Sequence, residues 1–188
     1  MSAAHPEAAV TLWARDEHRV GLLPVVRRVW APRGQRPTAR VRRRYEWLSA
    51  DGFVRPRTGQ TWWCPLPTVS VAAMTLALAT FAQDEGIGPR RRAVLAVDHA
   101  GWHTSGKLEL PARVHLAFLP PASLEPPPAE RLWPLLDVPA ANRAFAGIAE
   151  LEDVLVGRCP ALEADRRTVT AHTRFHRWPR ERHPRKHQ

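Results

Sequence analysis

Three acids in this sequence stand where they could act together: Asp16 in "TLWARDEHRV", Asp98 in "RRAVLAVDHAGWH" and Glu130 in "PPPAERLWPLLD". Carboxylates gathered at one place repel one another, and hard divalent cations, which take oxygen ligands, relieve that repulsion. Two Mg2+ ions held in this way can keep the attacking and leaving oxygens of a phosphodiester in line. Taken singly, each acid has a plainer role. An aspartate at the end of a strand commonly serves a turn or a helix cap. Glu130 alone is a favourable charge near a helix N-terminus, and Asp16 with Glu17 reads as a solvated turn. The choice between these readings depends on the elements that carry the acids.

Residues 93–97 are apolar and short, as expected of a strand buried on both faces of a parallel pair, and an acid does not belong in such surroundings unpaired. The C-terminal ends of parallel strands form the crevice where α/β proteins bind ligands, and Asp98 sits at such an end. Residues 9–16 predict a first strand that closes on Asp16. If the first and fourth strands are neighbours, two carboxylates meet at one edge of the sheet. Between them, residues 22–43 are rich in Pro, Gly and Arg and predict a long exposed excursion. Two strands follow at 44–50 and 60–66, joined by turns. Ser70 is placed to cap a helix of about four turns that stops near Gly86 and buries Val71, Met74, Leu78 and Phe81.

After the Asp98 strand, a brief helical turn is expected at 103–109 and a further strand at 114–119. Pro128 suits the first turn of a helix reaching Leu136, which would lower Glu130 toward the two aspartates. A last helix, 148–162, puts Ile148, Leu151, Leu155, Cys159 and Leu162 on one side, and Pro160 is expected to kink or end it. This order of elements predicts one α/β domain.

The 188 residues carry a formal charge of +10, and 44% are hydrophobic, enough for a globular core. The charge is unevenly spread: residues 1–60 and 166–188 are each net +7, whereas residues 61–165 are net −4. Basic flanks around an acidic middle suit a polyanion held over a carboxylate site. The 26 arginines against two lysines, with 19 prolines, also read as a coding bias. The segment 69–82 is too short to cross a bilayer, and no basic-then-apolar leader opens the chain. Cys64 and Cys159 have no metal-like spacing and fit a reducing cytoplasm.

The blocks "WARDEHRVGL", "RRAVLAVDHAGWHTSGKL" and "VHLAFLPPASLEPPPAERLWPLLD", with "VWAPRGQRP" and "GFVRPRTGQTWW" between them, resemble the DDE endonuclease domain of bacterial insertion-sequence transposases related to the mariner elements. The resemblance spans roughly residues 10–178. It implies a ribonuclease-H-like fold, a mixed sheet flanked by helices, and a metal-dependent DNA recombinase acting in the bacterial cytoplasm at the nucleoid. Asp16, Asp98 and Glu130 match the family's three catalytic, metal-holding acids. Two Mg2+, for which Mn2+ can substitute, would serve strand cleavage, and the freed 3′-hydroxyl would then attack target DNA. The implied partners are double-stranded DNA (element ends and target), an upstream-frame DNA-binding half, and a second copy of the chain on paired ends. The expected organisation is an endonuclease domain over 1–165 and a basic Arg/His/Pro-rich tail over 166–188, read as an arm, with the upstream helix-turn-helix domain absent. Where the family usually reads Tyr-Ser-Pro-Glu-Leu-Asn-Pro, this chain has "ASLEPPP" at 122–128, a proline run that could re-aim the helix carrying Glu130. The alternative is a non-catalytic DNA-binding remnant of such a transposase. A generic metal-dependent phosphohydrolase fits the carboxylates but not the basic flanks.

Other constellations are weaker. His99 and His103 match no strong zinc motif, and His103 is read as shaping the site or touching DNA. His172, His176, His183 and His187 read as solvated members of a charged tail. Trp62, Trp63 and Trp102 read first as packing residues, and only second as platforms for a splayed base. The chain has no glycine-rich phosphate loop and no nucleophile elbow.

Overall fold

Successive strand residues point to opposite faces, and this chain uses both faces of its sheet. The computed structural model describes residues 8–38, 44–66, 68–101, 103–120, 126–174, 178–179 and 181. Its strands are β1 (Ala9–Gly21), β2 (Trp47–Arg55), β3 (Gln60–Leu66), β4 (Arg91–Val97) and β5 (Val114–Phe118). They form one sheet in the order β3-β2-β1-β4-β5. β1 pairs antiparallel with β2 and parallel with β4, and β5 extends the parallel half. The first and fourth strands are therefore neighbours, and the architecture is the ribonuclease-H-like mixed sheet flanked by helices.

Alternation sorts the core. Trp13, Phe53, Leu95 and Val97 pack on one face against Met74, Leu78 and Phe81 of α1 (Val71–Asp84). Ala14, Val54 and Ala96 face the other way, onto α2 (Trp133–Leu136), α3 (Ile148–Ala164) and α4 (Arg166–Thr173). Ser70 caps α1 as expected, its hydroxyl accepting the Ala73 N–H at 3.1 Å. α1 ends at Asp84, two residues before Gly86.

Several local expectations are corrected. β1 does not close on Asp16: its partnership with β2 carries it to Gly21. β2 runs through Asp51-Gly52, a pair that reads as a turn in sequence, and the turn falls at residues 56–59. Residues 103–109 form hydrogen-bonded turns rather than a helix. The helix predicted from Pro128 ends at Leu136 as expected but opens as a 3-10 turn (Glu130–Leu132) before becoming α2, Pro134 supplying no N–H to a continuous ladder, and a second 3-10 turn (Val138–Ala140) follows it. Pro160 does not end α3, which continues to Ala164.

The arm expected from Arg166 is instead helical at its start. Val169 and Thr173 of α4 are fully buried, and Trp178 is buried beyond it. Asp165 caps α4 by accepting the Thr168 N–H, a bond that also holds its carboxyl below the usual aspartate range. Glu181 accepts from the Leu12 N–H and pairs with Arg55 at 2.6 Å. Trp102, residues 122–125 of the proline run, and His176, His183 and His187 lie outside the described residues. Among the described residues, no helix is long and apolar enough to cross a membrane.

Candidate active site

The β1–β4 ladder ends at the pair Ala14 and Ala96. Asp16 and Asp98 each lie two residues beyond it. Asp16, still within β1, and Asp98, one residue past the end of β4, therefore stand at the same level on adjacent strands, with roughly 5 Å between the strands. Glu130 is exposed and opens the 3-10 turn that leads into α2.

The first acid is half-buried, and Trp133 holds it. The indole Nε1 of Trp133, the first residue of α2, donates to Asp16 Oδ2 at 2.9 Å. The same indole stacks on His18, with ring centroids 4.7 Å apart and planes 7° from parallel. His18 Nε2 in turn lies 3.0 Å from Asp137 Oδ1 at the far end of α2. Gly52 makes room for the indole: a Cβ there would stand 2.6 Å from it. Thus α2, which continues directly from the turn that carries Glu130, is fastened to β1 through Asp16 itself.

Asp98 is held differently. Its side chain is 56% exposed, and its Oδ1 lies 2.8 Å from His103 Nδ1. The same oxygen accepts the Ala100 N–H at 3.1 Å. On its other side, His103 Nε2 lies 2.5 Å from Arg15 Nη1. Arg15 Nη2 bonds Asp51 Oδ1 in the interior. Asp51, Arg15 and His103 are 0, 3 and 4% exposed.

The electrostatics follow from burial and proximity. Burial raises the Asp16 carboxyl above the ordinary aspartate value, and the Asp98 charge adds to this against the Trp133 bond. Glu130 is raised by burial and then by both aspartates. Burial pushes Asp51 up to about 7 although Arg15 opposes it. Its Oδ2 takes no hydrogen bond among the described residues. Burial, seconded by the Arg15 charge, lowers His103 below the ordinary imidazole value. Three hard oxygen donors at one end of the sheet are the chemistry a divalent cation takes. Among the described residues, however, no group of three or more His, Cys, Asp or Glu side chains is gathered tightly enough to hold a metal ion by itself.

Sequence reasoning missed Arg15, Asp51 and Trp133. The alternation of β1 carried a usable signal: Arg15 shares the parity of Trp13, so it faces the core and needs an acid there. Of the residues considered for other roles, Trp62 and Trp63 pack as expected, Trp62 edge-on to Phe53 and Trp63 tilted toward Trp133. His172 is exposed and bonds the Thr168 carbonyl of its own helix. His99 lies beside Phe118.

A family model described as the DDE superfamily endonuclease matches residues 11–152. An uncharacterized protein, y4pE/y4sA, of Sinorhizobium fredii (strain NBRC 101917 / NGR234) is 35% identical over 116 residues, covering 61% of this chain and 82% of that protein. Among solved structures, the mariner Mos1 paired end complex with Mg matches with a TM-score of 0.52 at 16% identity, over 88% of this chain and 56% of that one. The pre-cleavage Mos1 transpososome matches with a TM-score of 0.50 at 13% identity, over 92% and 58%. At these identities the likeness is one of fold, and the chain spans little more than half the length of the solved chains.

Proposed function

Because the chain belongs to the DDE superfamily of endonucleases, we propose that it is the catalytic part of an insertion-sequence transposase. On this reading it cleaves DNA strands and transfers the freed ends to target DNA, with divalent metal held by Asp16, Asp98 and Glu130. The observation that carries the reading is placement: Asp16 and Asp98 lie two residues beyond the last β1–β4 pair, and the Trp133 indole, three residues after Glu130, bonds Asp16; the charges of both aspartates raise the Glu130 carboxyl. Carboxylates from three separate elements thus share one electrostatic neighbourhood. The Mos1 structures are named for paired ends, for a transpososome and for Mg, which supports DNA and a divalent cation as partners here.

When bound, Mg2+ or Mn2+ supplies a water of lowered pKa and neutralises charge on the phosphodiester. The chain's own residues do the positioning. Trp133 fixes one oxygen of Asp16, and Ala100 and His103 fix one oxygen of Asp98. Glu130 enters from a turn whose aim depends on α2. The basic flanks favour the DNA backbone by releasing counterions. A second copy on paired ends and an upstream DNA-binding half complete the proposal.

The test is nicking of supercoiled DNA with Mg2+ or Mn2+, by the chain and by its fusion to a helix-turn-helix domain. Asp98→Asn and Asp16→Asn are expected to abolish nicking while DNA binding persists or tightens, since an amide carries no charge to retain a cation or repel phosphate. A second reading, a non-catalytic DNA-binding remnant, is favoured by the lack of a closed three-acid cluster among the described residues. Binding without cutting by the fusion, with either metal, decides for it.

A further inference from the structure

A buried ion pair is weak evidence for stability, because taking two charges out of water costs as much as their attraction returns. Arg15 and Asp51 form such a pair in the interior, and neither is among the three acids of the site. Their contacts lead in one direction. Asp51 Oδ1 bonds Arg15 Nη2, Arg15 Nη1 meets His103 Nε2 at 2.5 Å, and His103 Nδ1 meets Asp98 Oδ1 at 2.8 Å.

A guanidinium has donors and no acceptor, so His103 Nε2 must accept the Arg15 proton. A neutral imidazole that accepts at Nε2 carries its own proton on Nδ1, and Nδ1 faces two oxygens of Asp98, the backbone carbonyl at 3.1 Å and Oδ1 at 2.8 Å. We propose that Asp51 and Arg15 fix the tautomer of His103, so that its Nδ1–H, shared between the carbonyl oxygen and Oδ1 of Asp98, holds that residue in place and leaves Asp98 Oδ2 for a divalent cation. The Ala100 N–H also falls on Oδ1, so both bonds agree on which carboxylate oxygen is spoken for. The three side chains are positioning residues. They act on the cation only through Asp98, and the inference rests on the reading of Asp98 as a metal-holding acid. β1 thereby serves twice: Asp16 on one face would be one of the acids to hold a cation, while Arg15 on the other sets the tautomer that orients the second acid.

The experiment uses the full chain labelled with 15N-histidine. Long-range proton–nitrogen spectra are expected to show His103 protonated at Nδ1 and bare at Nε2. Arg15→Met removes the donor to Nε2, so proton occupancy is expected to shift toward Nε2. Mn2+ binding, read from the spin-resonance signal of free Mn2+, is expected to weaken about 10- to 100-fold, the usual effect of losing a partner behind a metal ligand. His103→Asn keeps an N–H near the Nδ1 position and is expected to retain much of the Mn2+ affinity that His103→Phe loses. Protonation of wild-type His103 at Nε2, or unchanged Mn2+ binding in folded Arg15→Met and His103→Phe, overturns the proposal. If Arg15→Met does not fold, the wild-type tautomer and the Asn-against-Phe comparison decide. If the wild-type chain holds Mn2+ no better than Asp98→Asn, the metal reading falls, and the tautomer spectrum alone judges the relay.

Discussion

Asp51 is an acid whose titration the fold rewrites. Its carboxyl ionises near 3.8 when unfolded and near 7 in the folded chain, because burial outweighs the neighbouring guanidinium. Between those values the folded chain keeps a proton that the unfolded chain releases, so stability is highest at the acid end of the window. It falls as pH rises from about 4 to about 7 and levels off above that. Asp51→Asn is expected to flatten this slope in urea midpoints measured between about pH 5 and pH 8. An unchanged slope would place the titration elsewhere. Asp16, Asp98 and Glu130 could be singled out in the sequence because each sits beside a recognisable strand or helix signal within a family-like block. Asp51 could not, because Asp-Gly is ordinarily turn chemistry, and only the indole of Trp133 covering Gly52 explains why that pair continues a strand.

Among the elements, α2 is the one whose placement governs the third acid. It is only four residues long, so the Trp133 bond to Asp16 and the stack on His18 contribute much of its positioning. Trp133→Phe is expected to preserve the stack, remove the bond, and cost about 1.5–3 kcal/mol in folding measured with urea, as loss of a hydrogen bond to a charged group does. It is also expected to raise the Asp16 carboxyl further, visible in carbon-detected titration. Gly52→Ala pushes the same indole away from below and is expected to destabilise by about 1–3 kcal/mol. α1 and β4 were legible because spacing and apolarity fix them almost unaided. The broken helix after Pro128 was not, since the prolines that mark its start also interrupt its ladder. α4 was hidden by composition: two arginines and a histidine read as a solvated arm, while Val169 and Thr173 are what the core receives.

For the whole molecule, the basic C-terminal region is part of the domain's packing. Gly59, at φ +69, lets the β2–β3 turn lie directly on the Arg166 carbonyl at the start of α4. Truncation after residue 165 removes Val169, Thr173 and Trp178 from the core and strips Glu181 from Arg55. At about 1.5–3 kcal/mol for each of the two apolar side chains, Val169 and Trp178, the loss reaches the lower end of an ordinary domain's stability, before the buried Thr173 and the Glu181 pair are counted. The truncated chain is expected to be largely unfolded by circular dichroism, so deletion cannot test whether the tail takes part in the proposed DNA binding. Arg33→Gln with Arg36→Gln, both exposed on the excursion after β1, is the cleaner probe. If both contact phosphate, the slope of log K against log salt is expected to become shallower by about 0.9 for each. The Glu181 bond to the Leu12 N–H joins positions 169 residues apart. That bond closes a long loop of chain, so β1, which carries Asp16, is held both by its ladder with β4 and by a residue far from it in sequence. Release of Glu181 is therefore expected to loosen the strand that carries Asp16, although the two acids lie at opposite ends of the described residues.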